Sequence, residues 1–152
     1  MIWNTLYLLH DTDDAALAQA IGQALGVPVG AIVVEDAASR VVIPHQVVLV
    51  HRDDYRAREP ETRFPVEVTI SVPAAIPTAS RSDAERLAIL ARSLQVPFMA
   101  SLDGDDQDTM RVVLPDGMLL ERTLGDVDVI LTPADQERLD RYRRPSRPSR
   151  AA

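Results

Sequence analysis

Two strings in this chain occur twice, in the same order. Leu25-Gly26-Val27-Pro28 returns as Leu94-Gln95-Val96-Pro97, and Arg40-Val41-Val42-Ile43-Pro44 returns as Arg111-Val112-Val113-Leu114-Pro115. The offsets are 69 and 71 residues, so two residues enter the connection between the matched strings. Connections absorb insertions that strands do not, which is the pattern expected of a duplicated structural unit. The repeat restricts the fold to something built from two similar halves, with units at about 1–55 and 64–125.

Local patterns give each half the same order of elements. Thr5–Leu9 is an apolar run of strand length, and Asp11-Thr12-Asp13-Asp14 supplies oxygens and negative charge suited to a helix start. Leu17, Ile21 and Leu25 fall on one helical face, which Gly26 and Pro28 terminate. Ala31–Val34 predicts a second strand, and Arg40–Ile43 with Val47–Val50 a hairpin bent at Pro44-His45-Gln46. The second half opens with Val66, Val68, Ile70 and Val72 alternating with polar residues, a strand with one buried face. Ser82-Asp83-Ala84-Glu85 is a capping box before the Leu87, Leu90, Ala91, Leu94 stripe. Strands at Phe98–Leu102, Met110–Leu114 and Met118–Arg122 follow, the last two joined through Pro115-Asp116-Gly117.

These elements predict an α+β fold: an internally duplicated strand–helix–strand–hairpin unit in a mixed sheet with helices on one face. An extra strand at Val127–Leu131 and a helix from Thr132 to about Arg143 complete one globular domain over 1–143. Residues 144–152, rich in arginine, proline and serine, predict a disordered tail.

Charge divides unevenly over the two parts. Residues 1–134 hold 20 of the 23 acids and 10 of the 16 arginines, a net charge of −10, while 135–152 carry +3. A body this acidic repels nucleic acid and attracts basic partners. No apolar run approaches the length of a membrane span, and the absence of cysteine and of a signal-like N-terminus predicts a cytoplasmic protein.

Known catalytic patterns are missing. There is no Gly-x-Ser-x-Gly elbow, no cysteine nucleophile and no phosphate-binding glycine loop. His10, His45 and His51 lack a ligand spacing, so neither a metal nor another cofactor is expected. Asp103–Asp108 fails as a calcium loop: with Asp103 first, the sixth position is Asp108 instead of glycine and the twelfth is Leu114 instead of glutamate. The chain reads as non-enzymatic.

Acids are what the predicted topology gathers. If each strand–helix–strand pairs in parallel, the strand ends and the helix start share one edge. That edge would hold Asp11, Asp13, Asp14, Glu35 and Asp36 in the first unit, and Asp83, Glu85, Asp103, Asp105, Asp106 and Asp108 in the second. The acids not needed as helix caps, Glu35, Asp36, Asp103, Asp105, Asp106 and Asp108, together with Asp53 and Asp54, are the candidate partner-binding residues.

The chain resembles the small cytoplasmic immunity proteins encoded beside polymorphic or contact-dependent toxins of bacteria. The similarity rests on Leu6-Tyr7-Leu8, Leu25-Gly26, Val50-His51-Arg52-Asp53-Asp54-Tyr55, Phe64-Pro65-Val66-Glu67-Val68 and Val96–Asp103, over roughly residues 5–106. The resemblance implies a non-enzymatic protein that neutralises a cognate toxin by covering a basic surface of it. The partner expected is a protein with a basic surface, toxin or effector, with neither nucleic acid nor membrane involved. Two alternatives fit the same composition: a secretion-chaperone-like dimer holding an effector segment, and a small-molecule-sensing module.

Overall fold

The computed structural model describes residues 2–36, 47–57, 61–101, 108–126 and 128–143. Its elements are β1 (Ile2–Leu8), α1 (Asp14–Leu25), a 3-10 turn (Val29–Ala31), β2 (Ile32–Asp36), β3 (Val48–Asp54) and β4 (Val66–Ser71). They continue through α2 (Asp83–Leu94), β5 (Phe98–Ser101), β6 (Thr109–Val113), β7 (Leu119–Thr123) and α3 (Pro133–Asp140). The fold is α+β, with three helices on a mixed sheet of seven strands ordered β2-β3-β4-β1-β5-β6-β7.

The strand expected to open the chain takes the middle of the sheet because it is apolar on both faces. Leu6 and Leu8 enter the core beneath α1 and α2, while Tyr7 and Leu9 pack into a second core on the opposite face. The larger core joins Leu17, Ile21, Ala24 and Leu25 of α1 and Leu87, Leu90, Ala91 and Leu94 of α2 to Val48, Val50, Val66, Val68, Ile70 and Phe98. The smaller core lies under α3 and unites Met99, Met110, Val112 and Leu114 with Phe64, Val129 and Leu139. The two long helices therefore share one face of the sheet, and α3 covers part of the other.

Helix ends follow the local chemistry. Asp13 caps α1 by accepting from the Ala16 amide at 2.7 Å, and Ser82 caps α2 by accepting from the Glu85 amide at 3.2 Å. The two repeated Leu-x-Val-Pro strings have matching cap geometry: Gly26 and Gln95 are both left-handed, at φ 70° and 58°. Glutamine holds that conformation against a steric penalty that glycine avoids. Gln95→Gly should raise stability by about 0.5–1 kcal/mol, read as a higher urea midpoint at unchanged slope.

The pairings depart from the sequence expectation in three places. β1 and β2 are not neighbours, since β3 and β4 lie between them, and β1 in turn separates β4 from β5. Neither strand–helix–strand unit is thus a directly paired parallel crossover. β3, expected as the arm of a hairpin with 40–43, pairs in parallel with β2 and antiparallel with β4. Residues 37–46 themselves lie outside the described residues. Of the segment 127–131, expected as a strand, residue 127 lies outside the described residues and the rest contributes, among the described residues, the isolated bridge Leu124–Val129. α3 stops at Asp140, short of Arg143, while the tail from 144 onward lies outside the described residues.

Candidate functional site

The sheet face opposite α1 and α2 is covered on the β5-β6-β7 side by α3 and by Val129 and Leu131. Its β2-β3-β4 side carries a polar surface, set by alternation along the strands. Val66, Val68 and Ile70 turn into the core, which leaves Glu67, Thr69 and Ser71 on this face, half-buried. Register then decides which side chains meet. Asp53 of β3 lies opposite Glu67 of β4, Glu67 lies opposite Tyr7 of β1, and Tyr7 lies opposite Met99 of β5. One step along, His51 is flanked by Glu35 and Thr69.

Next to that row opens a groove of about 530 Å³ whose wall includes Tyr7, Tyr55, Phe64, Glu67, Met99 and Met110. Burial, together with the negative charge of Glu67, raises the Tyr7 hydroxyl above its usual pKa, so Tyr7 presents a protonated hydroxyl. Asp128, also at the groove, accepts from the Arg63 amide at 2.8 Å and pairs with its guanidinium at 3.2 Å.

The structure separates the candidate acids of the sequence. Asp53 alone joins the polar half-face as expected of a surface acid. Glu35 reaches the same face but is buried, 8% exposed, with Oε1 3.0 Å from His51 Nε2 and Oε2 without a hydrogen-bond partner. It is part of the packed sheet and not an accessible contact. Asp36 ends β2 in register with Arg52. Asp54 is exposed and accepts from the Arg56 amide at 2.9 Å, a local turn contact at the strand end. Asp108 precedes β6 at the opposite edge of the sheet from Asp54, and Asp103, Asp105 and Asp106 lie outside the described residues.

The edges differ because β4 and β5 run opposite to β1, β2 and β3. Strand ends of the two units therefore point in opposite directions, and among the described residues no single edge collects the acids of both units. In the first unit much of the charge is internally paired: Arg52 reaches past the strand end to Asp14 and Asp11 and donates to the Thr12 carbonyl at 2.7 Å. Glu67, Tyr7 and Tyr55 are the residues that the sequence did not mark. Alternation had placed Glu67 on the wet face, but only the β3–β4 register sets it beside Asp53.

Among the described residues no group of three or more histidines and acids is arranged to hold a metal, and no helix is long and apolar enough to cross a membrane. What fold and surface define is an α+β protein with an acidic, aromatic-lined sheet face. Comparison with protein-family models, curated proteins and solved structures gives no match in any of the three.

Proposed function

We propose that this chain is a non-enzymatic binding protein that captures a protein partner through a basic patch, as the immunity proteins it resembles act on a toxin. The observation that carries this reading is the cross-strand pair of carboxylates, Asp53 and Glu67, beside an aromatic groove on the sheet face. The register of β3 on β4 concentrates carboxylates on this face, to which a basic surface is electrostatically complementary. The net charge of −10 over residues 1–134 adds a long-range field that speeds and orients the encounter. Affinity then comes from a few buried anchors, with the acids fixing register and rejecting acidic competitors.

The test is affinity purification from the native host, followed by calorimetry with the retained protein and the Asp53→Asn/Glu67→Gln double variant. A partner with a basic surface should bind the double variant at least about 10-fold more weakly, and wild-type affinity should fall as salt rises. Retention of no protein, or of one that binds both forms equally, would sink the reading.

A further inference from the structure

We infer that the pocket between Trp3 and Arg86 binds a small organic monocarboxylate, a hydrocarbon body carrying one carboxylate. Trp3, Val72 and Ile76 of its wall pack against the larger core, on the helical side of the sheet, so the site is separate from the face of Asp53 and Glu67. The pocket arises where the two halves of the chain differ. The connection 72–82 between β4 and α2 is longer than the connection 9–13 between β1 and α1. It folds over the end of α1, where the Ala79 amide donates to the Leu25 carbonyl at 2.8 Å. Between this loop, β1 and α2 opens a space of about 430 Å³ walled by Trp3, Leu25, Val72, Pro73, Ile76 and Arg86. Leu25 is buried, and the other five are partly exposed, so the apolar wall is open to solvent.

Arg86 supplies the charge. Its Nη2 donates to the Thr78 hydroxyl and to the Ala79 carbonyl, at 3.2 Å each, and its guanidinium carbon lies 5.7 Å from the centre of the Trp3 ring, a cation–π contact. All three partners are neutral. Nη1 donates to nothing among the described residues, and Nε is shut off from solvent without a partner. No carboxylate of the described residues lies within ion-pair distance of Arg86, whereas Arg52, Arg63 and Arg122 each have one. Asp83, at the start of α2, accepts from Trp3 Nε1 at 3.2 Å. A part-buried guanidinium with an unused donor and no counter-charge is completed by an anion. The aliphatic wall calls for hydrocarbon in the same ligand. A wholly apolar ligand leaves the charge unmet, and a dianion such as phosphate gains nothing from the wall while meeting the net charge of −10 over residues 1–134. One carboxylate on a hydrocarbon body satisfies both parts, and the volume is that of a small-molecule site.

Trp3 is the one tryptophan of the chain, so its emission reports the pocket directly. The full-length protein is titrated with octanoate and with 4-phenylbutanoate, and separately with the neutral amide of each. At least one acid should change Trp3 emission saturably, and its amide should bind about 10-fold more weakly. Two variants separate charge from packing. Arg86→Gln should weaken binding of the acid about 10-fold and leave that of the amide unchanged. Ala74→Glu puts a carboxylate on an exposed residue of the lining and should weaken the acid about 3-fold, again sparing the amide. Far-ultraviolet dichroism and the urea midpoint report whether each variant folds, and if Arg86→Gln does not, Ala74→Glu decides. No saturable change with either acid, equal binding of acid and amide, or undiminished acid binding by Ala74→Glu would overturn the assignment. The titrations use no protein partner, so this site and the capture of a basic protein stand or fall separately.

Discussion

Asp135→Ala is expected to destabilise the protein by about 2–4 kcal/mol, because one carboxylate performs two tasks. Asp135 is 1% exposed at the third position of α3. It accepts from Arg122 Nε at 2.7 Å and Arg122 Nη2 at 2.9 Å, a bidentate pair that ties α3 to β7. It also accepts from the Thr132 amide at 3.0 Å while Thr132 Oγ1 accepts from the Asp135 amide at 3.1 Å, closing a reciprocal capping box. Breaking a buried pair by removing one partner typically costs about 3–5 kcal/mol. Here the stranded Arg122 side chain keeps 30% exposure and is partly hydrated, which lowers that figure, and loss of the cap restores about 1 kcal/mol of it. The change should appear as a lower urea midpoint, with near-ultraviolet dichroism reporting the loosened packing around Leu139.

The same residue gives stability a pH dependence of definite sign. Hydrogen bonding from Arg122, reinforced by Thr132 and outweighing burial, holds the Asp135 carboxyl well below the usual carboxylate range. A folded-state value below the unfolded one means that the unfolded chain takes up the proton first. The contribution is complete above the unfolded value of about 3.9 and declines as pH falls from there toward the folded value. Asp135→Asn should therefore flatten the stability profile between about pH 4 and pH 2 relative to wild type. A profile of unchanged slope in that window would show that the pair is not held in solution as drawn.

Asp135 also marks a boundary of what the sequence makes legible. Thr132-Pro133-Ala134-Asp135 announces a helix start, since capping chemistry is local. Nothing local announces that Arg122, on a strand in another part of the chain, completes the site. The strands themselves show the same division. Alternation in Val66–Val72 tells which residues face the core, and the apolar run at Leu6–Leu9 marks a buried strand, but neither names a neighbour. Strand order is settled by which apolar faces can be covered at once, a property of the whole sheet. β1, with apolar contacts on both faces, goes to the centre and enters between β4 and β5.

That insertion changes the meaning of the acids. A local rule, that acids gather at strand ends and helix starts, holds separately in each half. Because β4 and β5 run opposite to β1, the rule delivers Asp54 to one sheet edge and Asp108 to the other. The face that does combine charge with aromatic surface depends on the register Asp53–Glu67–Tyr7–Met99, which crosses four strands. No sequence window contains those residues together, so the composition suggested an acidic binding surface without locating it.

Gly26→Ala should be destabilising by about 2–5 kcal/mol, the opposite sign from Gln95→Gly at the matching cap. Both positions close a long helix in the left-handed region, at φ 70° and 58°. Their surroundings differ. Gln95 is exposed, its amide accepted by the Ala91 carbonyl at 2.9 Å and its side chain donating to the Arg92 carbonyl at 2.6 Å, so the backbone penalty is the main term. A Cβ on Gly26 would also stand 2.6 Å from the Ala79 Cβ and 3.2 Å from the Ala79 nitrogen, in a segment that cannot simply withdraw. The Ala79 amide donates to the Leu25 carbonyl at 2.8 Å, and Arg81 donates to the Gln23 and Ala24 carbonyls at 2.6 and 3.1 Å. Those bonds satisfy carbonyls that the end of α1 leaves without helical partners. Displacing residues 78–81 to admit a methyl group therefore breaks the C-cap of α1 and disturbs the approach to Ser82, which caps α2. The left-handed penalty contributes about 1–2 kcal/mol and the steric overlap a further 1–3 kcal/mol, read from urea midpoints. If Gly26→Ala and Gln95→Ala prove equally mild, the close approach of Ala79 is absent in solution, and the two caps are equivalent in environment as well as in backbone conformation.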